Sequence, residues 1–227
     1  MSWAWPFRRG SDPDRDVPWI PPDLGEPEGL VGVGGTLTPD LLLRAYAEGV
    51  FPWFSDGDPV LWWSPDPRAV IELDGLHVSR RLARTIRSGA FRVTVNRCFA
   101  DVMRACGENR EEGTWVTAEM IDGYTKLHEL GNAHSVEVWQ GEALVGGIYG
   151  VAVGGLFAGE SMFHRKTDAS KVALAALVAR LRERGYALFD VQMTTDHTER
   201  MGAINVPRAD YLRRLRKAVR MTEVTFT

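Results

Sequence analysis

Three consecutive segments decide the fold: FAGESMF (157–163), TDASKVALAALVARLRERG (167–185) and YALFDVQM (186–193). The first and last are apolar runs of strand length, and the middle one has the small-residue spacing of a helix that packs closely on a sheet. Glu160 lies near the end of the first run. Asp190 and Gln192 share one face of the last run, because strand side chains alternate. The stretch therefore predicts a strand–helix–strand unit with three polar side chains inside apolar sequence.

These polar side chains admit two interpretations. Burying a carboxylate without partners is costly, so Glu160 and Asp190 belong either to a structural hydrogen-bond network or to a reaction centre. The pattern of residues by itself favours neither interpretation over the other.

The segments before this unit predict a meander of antiparallel strands. Runs at Ser135–Trp139, Ala143–Val153 and Leu156–Phe163 are joined by short glycine-bearing turns. Glycines at 146, 147 and 150 indicate a β-bulge or a close approach of a ligand to the backbone. Helices that Thr38, Ser79 and Thr117 are expected to cap precede the meander, and further helices follow it. This order predicts an α+β fold with helices on an antiparallel-rich sheet.

The same order of elements is similar to that of acetyltransferase-like (GNAT-like) folds. Enzymes of that kind that use coenzyme A would carry a glycine-bearing pyrophosphate loop before the helix that begins near Lys171, and FHRKTDASK (163–171) has no glycine. Coenzyme A is therefore not the expected donor, and no cofactor is predicted. The glycines at 32, 34 and 35 do not predict a dinucleotide site either, because no strand of adequate length precedes them.

Composition predicts three parts. Residues 1–27 are rich in Pro, Asp and Arg and are expected to form a loosely ordered arm whose aromatic side chains dock on the body. Residues 28–66 are expected to form a small N-terminal domain that ends in an aromatic, proline-rich connector, and residues 67–227 a larger domain with the acyltransferase-like order of elements described above. Among the tryptophans of the connector, Trp53 is the candidate for a site.

Location and metal content follow from other features of the sequence. Cys98 and Cys106 lie eight residues apart in one predicted helix, too far to bridge each other. No apolar run is long enough to span a bilayer, and no signal peptide is predicted. The histidines lack metal-ligand spacing, so no metal site is expected. The sequence predicts a soluble, reduced, cytoplasmic protein without a membrane partner.

Positive charge is concentrated between His77 and Arg104, where seven arginines face a single acid. Arg80, Arg84 and Arg87 fall on one face of a helix that Ser79 caps. A solvated helix face explains this pattern as well as a polyphosphate partner such as RNA does.

The chain closely resembles the leucyl/phenylalanyl-tRNA–protein transferase family over nearly all of residues 28–216. The resemblance is carried by LTPDLLLRAYAEGVFPWFSDGDP, LWWSPDPRAV, EEGTWVT, LVGGIYGV, LFAGESMF, DASKVAL and FDVQM. It implies transfer of Leu or Phe, and less readily Met, from Leu-tRNA or Phe-tRNA to proteins beginning with Arg or Lys, which marks them for N-end rule degradation. Peptide-bond formation by this aminoacyltransferase implies no cofactor.

The resemblance also implies roles for particular residues. The motifs assign catalysis to Glu160, Asp190 and Gln192, and tRNA contacts to the three arginines of the basic helix. A pocket for the transferred side chain is implied for five residues: Trp53, Trp115, Ile148, Phe157 and Leu177. Ile148 and Leu177 depart from the family, which often has Met at the first position and can have an aromatic residue at the second.

Two other functions compete with the one that the resemblance implies. A related ligase would use the same aminoacyl-tRNA donor on a different amine. A non-catalytic RNA-binding module would use Asp190 and Gln192 only for bonds within its core.

Overall fold

The computed structural model describes residues 17–108 and 116–227, and two sheets organise them. The small sheet contains β1 (Leu30–Val33), β2 (Phe51–Pro52) and β3 (Leu61–Trp63) in the order β1-β3-β2, and both of its strand pairs are antiparallel. All of its strands precede the first strand of the large sheet in sequence.

The large sheet has seven strands in the order β10-β4-β9-β8-β7-β6-β5. The pair formed by β8 and β9 is parallel, and the other neighbouring strands are antiparallel. The antiparallel-rich sheet confirms the predicted α+β class. The strand bounds are β4 (Arg68–Ile71), β5 (Arg92–Val95), β6 (Ala133–Gln140), β7 (Ala143–Val153), β8 (Leu156–His164), β9 (Leu188–Gln192) and β10 (Ala203–Val206).

Helices cover both faces of the large sheet. Three of them begin as the sequence predicts, because Thr38, Ser79 and Thr117 accept bonds from first-turn backbone N–H groups. A short 3-10 helix covers Pro22–Leu24. The α-helices are α1 (Pro39–Glu48), α2 (Arg80–Arg87), α3 (Phe99–Gly107), α4 (Ala118–Glu129), α5 (Ala169–Glu183), α6 (Asp196–Arg200) and α7 (Arg208–Ala218).

The sheet separates two apolar clusters. Helix α5 packs on β6, β7 and β8 from one side, with α2 beside it. Helices α1, α3, α4 and α7 and the small sheet lie on the other side, where they share one continuous core. The small sheet is therefore joined to the large one by common apolar packing.

The structure differs from the predicted loose arm over residues 17–27. Trp19 is buried, packs against Trp62 with the two rings tilted by 49°, and donates from Nε1 to Glu48 at 2.9 Å. Arg208 donates to the backbone oxygens of Gly25 and Glu26. These bonds tie the segment to the body, and the docking that was expected of the aromatic side chains is seen for Trp19.

The segment predicted as an aromatic, proline-rich connector is more regular than its prolines indicate, because it contains the strands β2 and β3. Residues 61–63 form the central strand of the small sheet, and they contain no proline. The two flanking strands are short, and β2 includes Pro52 at an edge, where a missing N–H is tolerated. A strand of three residues is too short to produce a clear alternating pattern.

A β-bulge lies in the middle of the large sheet, beside Gly150. Tyr149 pairs with Ser161 and Gly150 pairs with Gly159, so Glu160 is the extra residue between them. A Cβ at Gly150 would lie 2.2 Å from the oxygen of Ala158. The predicted bulge is therefore present, and the backbone that approaches Gly150 is the protein's own strand.

Candidate active site

The site lies where the parallel pairing of β8 with β9 ends, just beyond Ala158 and Asp190. The bulge directs Glu160 towards Tyr124, on the side of the sheet opposite α5. Gln192 ends β9 with a left-handed φ of 57°, a strained conformation for a residue with a side chain. Its backbone N–H donates to Asp190 Oδ1 at 2.9 Å, which holds this conformation.

Glu160 and Gln192 are directly bonded. Gln192 Nε2 donates to Glu160 Oε1 at 2.8 Å, and the hydroxyl of Tyr124 donates to Glu160 Oε2 at 3.4 Å. Tyr46 is hydrogen-bonded to Tyr124 behind them. Burial, the largest effect, raises the pKa of Glu160 to about 7, although the bonds from both tyrosines lower it. The carboxyl group can therefore exchange a proton near neutral pH.

Asp190 is fully buried and has a partner at every lone pair. Arg68 donates from Nε to Oδ1 at 2.9 Å and from Nη2 to Oδ2 at 2.7 Å. Tyr211 donates to Oδ2 at 2.8 Å, and the N–H of Gln192 completes the set. Asp190 does not line the cavity described below. Its carboxylate is therefore bonded to the protein's own groups and is not presented to the cavity.

A cavity of about 510 Å³ opens beside Glu160 and Gln192. Most of its wall is apolar, with Trp53 at 41% exposure and Ile148 nearly buried. The other lining residues are Phe51, Pro52, Gly159, Ser161, Met162, His164, Ser170, Leu174, Val191, Met193, Thr195, His197 and Thr198. This volume is sufficient for an apolar side chain together with the group to which it is attached.

The five residues of the predicted pocket have different positions. Trp53 and Ile148 line the cavity. Phe157 and Leu177 lie in the core behind its wall, where Phe157 packs against Phe189 and Tyr186, and neither lines the cavity. Trp115 lies outside the described residues. On α5 it is Leu174, one turn before Leu177, that reaches the cavity.

The basic helix has the exposure that its sequence predicts. Arg80, Arg84 and Arg87 are all exposed on α2, and Leu82 is buried beneath them. Within the described part of the chain, none of the three arginines forms an ion pair with an acid, whereas the adjacent Arg81 lies 3.7 Å from Asp168. The guanidinium groups are therefore available to a polyanion.

Sequence reasoning missed the residues that hold the centre in place. One feature of the sequence could have identified Arg68. It stands directly before the apolar run Ala69–Ile71, and an arginine that is buried with such a run requires an acidic partner. No sequence signal marks the three tyrosines, because each occupies what looks like an ordinary apolar position of an amphipathic helix. They are Tyr46, Tyr124 and Tyr211.

A carboxyl group with a raised pKa, a carboxamide and an apolar cavity meet at one place on an α+β scaffold, an arrangement typical of enzyme active sites. The chain belongs to the leucyl/phenylalanyl-tRNA protein transferase family. The sequence model of this family matches residues 70–216, and the model of its N-terminal domain matches residues 35–66.

Three relatives illustrate the match, and each carries the name leucyl/phenylalanyl-tRNA–protein transferase. The protein of Anaeromyxobacter sp. (strain Fw109-5) is 54% identical over 208 residues, which are 90% of this chain and 88% of the relative. That of Nitratidesulfovibrio vulgaris (strain DP4) is 54% identical over 88% of this chain and 87% of its own. The protein of Stutzerimonas stutzeri (strain A1501) is 54% identical over 87% of this chain and 88% of its own.

Solved structures give weaker similarity. L-PGS from Bacillus licheniformis matches 65% of this chain and 48% of its own, with a TM-score of 0.40 and 16% identity. A GCN5-related N-acetyltransferase-like protein from Streptococcus suis matches 74% of this chain and 63% of its own, with a TM-score of 0.36 and 12% identity. At these values the similarity adds nothing to the family match. No helix among the described residues has the length and apolar character to cross a membrane.

Proposed function

We propose that this protein transfers a leucyl or phenylalanyl group, and less readily a methionyl group, from aminoacyl-tRNA to the α-amine of proteins that begin with Arg or Lys. The reaction would take place in the cytoplasm and mark the acceptor for N-end rule degradation. The observation that carries the proposal is the bond between Gln192 and Glu160 beside an apolar cavity, in a chain of this family. The relatives' names support both donors.

The cavity supports the choice of an apolar aminoacyl group. Ile148, Leu174 and Val191 offer aliphatic surface, and Trp53 offers an aromatic face near the opening. A wall of this kind favours an aliphatic or benzyl side chain over a charged one, because a charged group would lose its hydration without gaining a partner.

The proposed reaction forms one amide bond and breaks one ester bond. The acceptor's α-amine attacks the carbonyl carbon of the aminoacyl ester, the ribose oxygen leaves, and the amine loses a proton while the ribose oxygen gains one. Glu160 accepts the amine proton and can return it to the leaving oxygen, which its raised pKa allows. Gln192 donates a hydrogen bond to the carbonyl oxygen as charge develops there.

Asp190 contributes to this reaction through Gln192. Its bond to the N–H of Gln192 maintains the strained backbone that directs the carboxamide towards Glu160. Arg68 and Tyr211 in turn fix Asp190. Precise positioning of this kind can supply much of the rate acceleration when the donor ester is already activated.

Helix α2 is the proposed contact for the donor's phosphates. Arg80, Arg84 and Arg87 are exposed on one face, and the described residues provide them with no acidic partner. A row of unpaired guanidinium groups gains free energy on phosphate binding through release of counterions.

The test is transfer from labelled Leu-tRNA or Phe-tRNA to a set of peptides that differ only at the first residue. We expect label on peptides that begin with Arg or Lys and none on a peptide that begins with Ala. The matched control is the Arg peptide with an acetylated α-amine, which should stay unlabelled because it lacks the nucleophile.

Two other outcomes would refute the proposal in different ways. Label on a different amine, with none on the Arg or Lys peptides, would indicate the ligase that shares the donor. Binding of aminoacyl-tRNA without transfer to any amine would indicate that Glu160 and Gln192 perform no chemistry.

A further inference from the structure

A second cavity of the structure is a groove beside α5, with a volume of about 400 Å³. The loop after β4, helix α2, the edge strand β5 and helix α5 form its walls, and we call it the α5 groove. Among the described residues that line it, only Asp74 and Arg182 are charged, and the others are apolar. None of them lines the cavity beside Glu160, so the proposed reaction does not use this groove.

Large apolar side chains are exposed around the groove. The described part of the chain exposes eight such side chains, and three of them line this one groove. They are Val78 in the loop after β4, Ile86 on α2 and Val93 on β5, with exposures of 37%, 41% and 40%. Single exposed apolar residues are normal on a protein surface, but a group of them around one concave surface indicates a binding site for another macromolecule.

Helix α5 forms the floor of the groove and has no polar side chain in its central turns. Every residue from Val172 to Ala179 is apolar, although a helix face in contact with water normally carries polar residues. Ala175, Ala176 and Ala179 line the groove and keep contact with solvent. The floor extends to Arg182, which is a length of about 15 Å or three helical turns. A short helix of a partner matches this length.

The charges beside the groove favour an acidic partner. Asp74 is the one acid among the described lining residues, and it lies 3.0 Å from Arg182 with both side chains mostly exposed. Its charge is therefore already neutralised. On α2, Arg80, Arg84 and Arg87 are exposed and have no acidic partner within the described residues. This uncompensated positive charge attracts carboxylates.

The combination of apolar walls and positive charge distinguishes a polypeptide from a nucleic acid. Phosphate groups would be attracted by the same arginines, but inside the groove they would lose hydration against apolar side chains without gaining partners. An amphipathic helix instead brings an apolar face to the groove and carboxylates to its edges. Recognition of a helix in a groove follows this pattern in other proteins.

We propose that the α5 groove binds an acidic amphipathic helix of a partner protein. The apolar face of that helix contacts Val78, Ile86 and Val93, and its carboxylates reach Arg87 on α2 and Arg182 on α5. The inference goes beyond the proposed function, because the apolar contacts do not belong to the reaction site. Arg87 is also part of the proposed tRNA contact, so the role of charge is tested at Arg182.

The test measures fluorescence anisotropy of a labelled synthetic peptide about four helical turns long, with leucines three and four residues apart and glutamates elsewhere. One control peptide has the same composition in an order without an apolar face, and a second has lysine in place of glutamate. We expect the wild-type protein to bind the first peptide, and neither control peptide to bind.

Substitutions in the groove should weaken this binding without unfolding the protein. Ile86→Asp and Val78→Asp should each raise the Kd of the peptide about tenfold or more, because each places a carboxylate against the apolar face. The matched control is Ile204→Asp, since Ile204 is 46% exposed and lies on β10 at the other edge of the sheet. It should leave the Kd unchanged. Thermal denaturation checks that all three variants are folded.

Reversal of one charge tests the acidic character of the partner. Arg182→Glu should raise the Kd about threefold at low salt, and the difference should shrink as salt is added, because exposed charges are screened. Arg216→Glu, on α7, is the control and should have no effect.

Four results would overturn the proposal. The first two are absence of peptide binding to the wild-type protein and equal binding of the peptide without an apolar face. The third is a dimer of the protein alone that Ile86→Asp dissociates in sedimentation experiments, which would assign the groove to a second copy of this chain. The fourth is loss of tRNA binding in Ile86→Asp, which would assign it to the nucleic acid.

Discussion

Arg68 and Asp190 form a bidentate ion pair at the base of the candidate site, with both side chains 1% exposed. The rings of Phe51 and Tyr211 lie against the guanidinium group, with their centroids 4.8 and 4.6 Å from Arg68 Cζ. The pair links β4 to the adjacent β9, and through Asp190 it fixes the backbone of Gln192. The strained end of β9 therefore depends on an arginine that is distant in sequence.

Asp190→Asn should destabilise the fold strongly, because it leaves the Arg68 charge buried without its partner. Loss of one member of such a pair costs about 3–5 kcal/mol. Urea denaturation measures the change. The double variant Arg68→Met with Asp190→Leu should recover much of that loss, since it removes both charges. A single variant as stable as the wild-type protein would contradict the structural role of the pair.

The pH dependence of stability should reveal Glu160. Burial raises its pKa in the folded state to about 7, so the folded protein holds this proton more tightly than the unfolded chain does. The corresponding stabilisation is complete at acidic pH, below the ordinary pKa of a glutamate, and is lost as pH rises through about 7. Glu160→Gln should lack this loss, which we expect to be on the order of 3 kcal/mol. If the unfolding free energies of the wild-type protein and of Glu160→Gln changed in parallel with pH, the assignment of this pH dependence to Glu160 would be wrong.

The same substitution should change the rate of transfer. Glu160→Gln removes the proposed proton acceptor, and removal of such a group typically lowers kcat by about 100-fold or more. The rate–pH profile should also lose its inflection near neutral pH. An unchanged inflection would show that a different group titrates.

Leu174 and Leu177 form a matched pair on α5, one lining the cavity and the other in the core behind it. Substitution of either by Ala should cost about 2–5 kcal/mol of stability, because both create a void. Only Leu174→Ala should change the ratio of Phe to Leu transfer, by about tenfold in favour of the larger group. If only Leu177→Ala changed the ratio of Phe to Leu transfer, the result would instead support Leu177 as a pocket residue, as the family resemblance implies.

Arg84→Ala should weaken binding of aminoacyl-tRNA and lower the slope of log K against log salt concentration by about one. Turnover at saturating donor should be unaffected, because α2 does not contribute to the cavity. Arg216→Ala is the control: this arginine is also exposed, and it lies on α7, which packs against α1 and β9. Equal effects of both substitutions would remove the assignment of α2 to the tRNA.

Local chemistry in the sequence was sufficient for much of the fold. The capped helices α1, α2 and α4 begin where Thr38, Ser79 and Thr117 predict, because a cap requires only neighbouring residues. The meander and the shared face of Asp190 and Gln192 follow from alternation along single strands. The short strands β1, β3, β4 and β10 could not be predicted, because pairing between distant segments defines them.

By itself, the sequence determined the α+β class, the exposed arginine row and the three polar residues of the candidate centre, since these depend on periodicity and motif. Only the tertiary structure decided what each residue does there. It placed Arg68 and Tyr211 on Asp190, it bonded Glu160 to Gln192, and it left Phe157 and Leu177 behind the wall of the cavity. The physical reason is that these bonds join residues 21 to 122 positions apart in the sequence, and a local pattern carries no information about them.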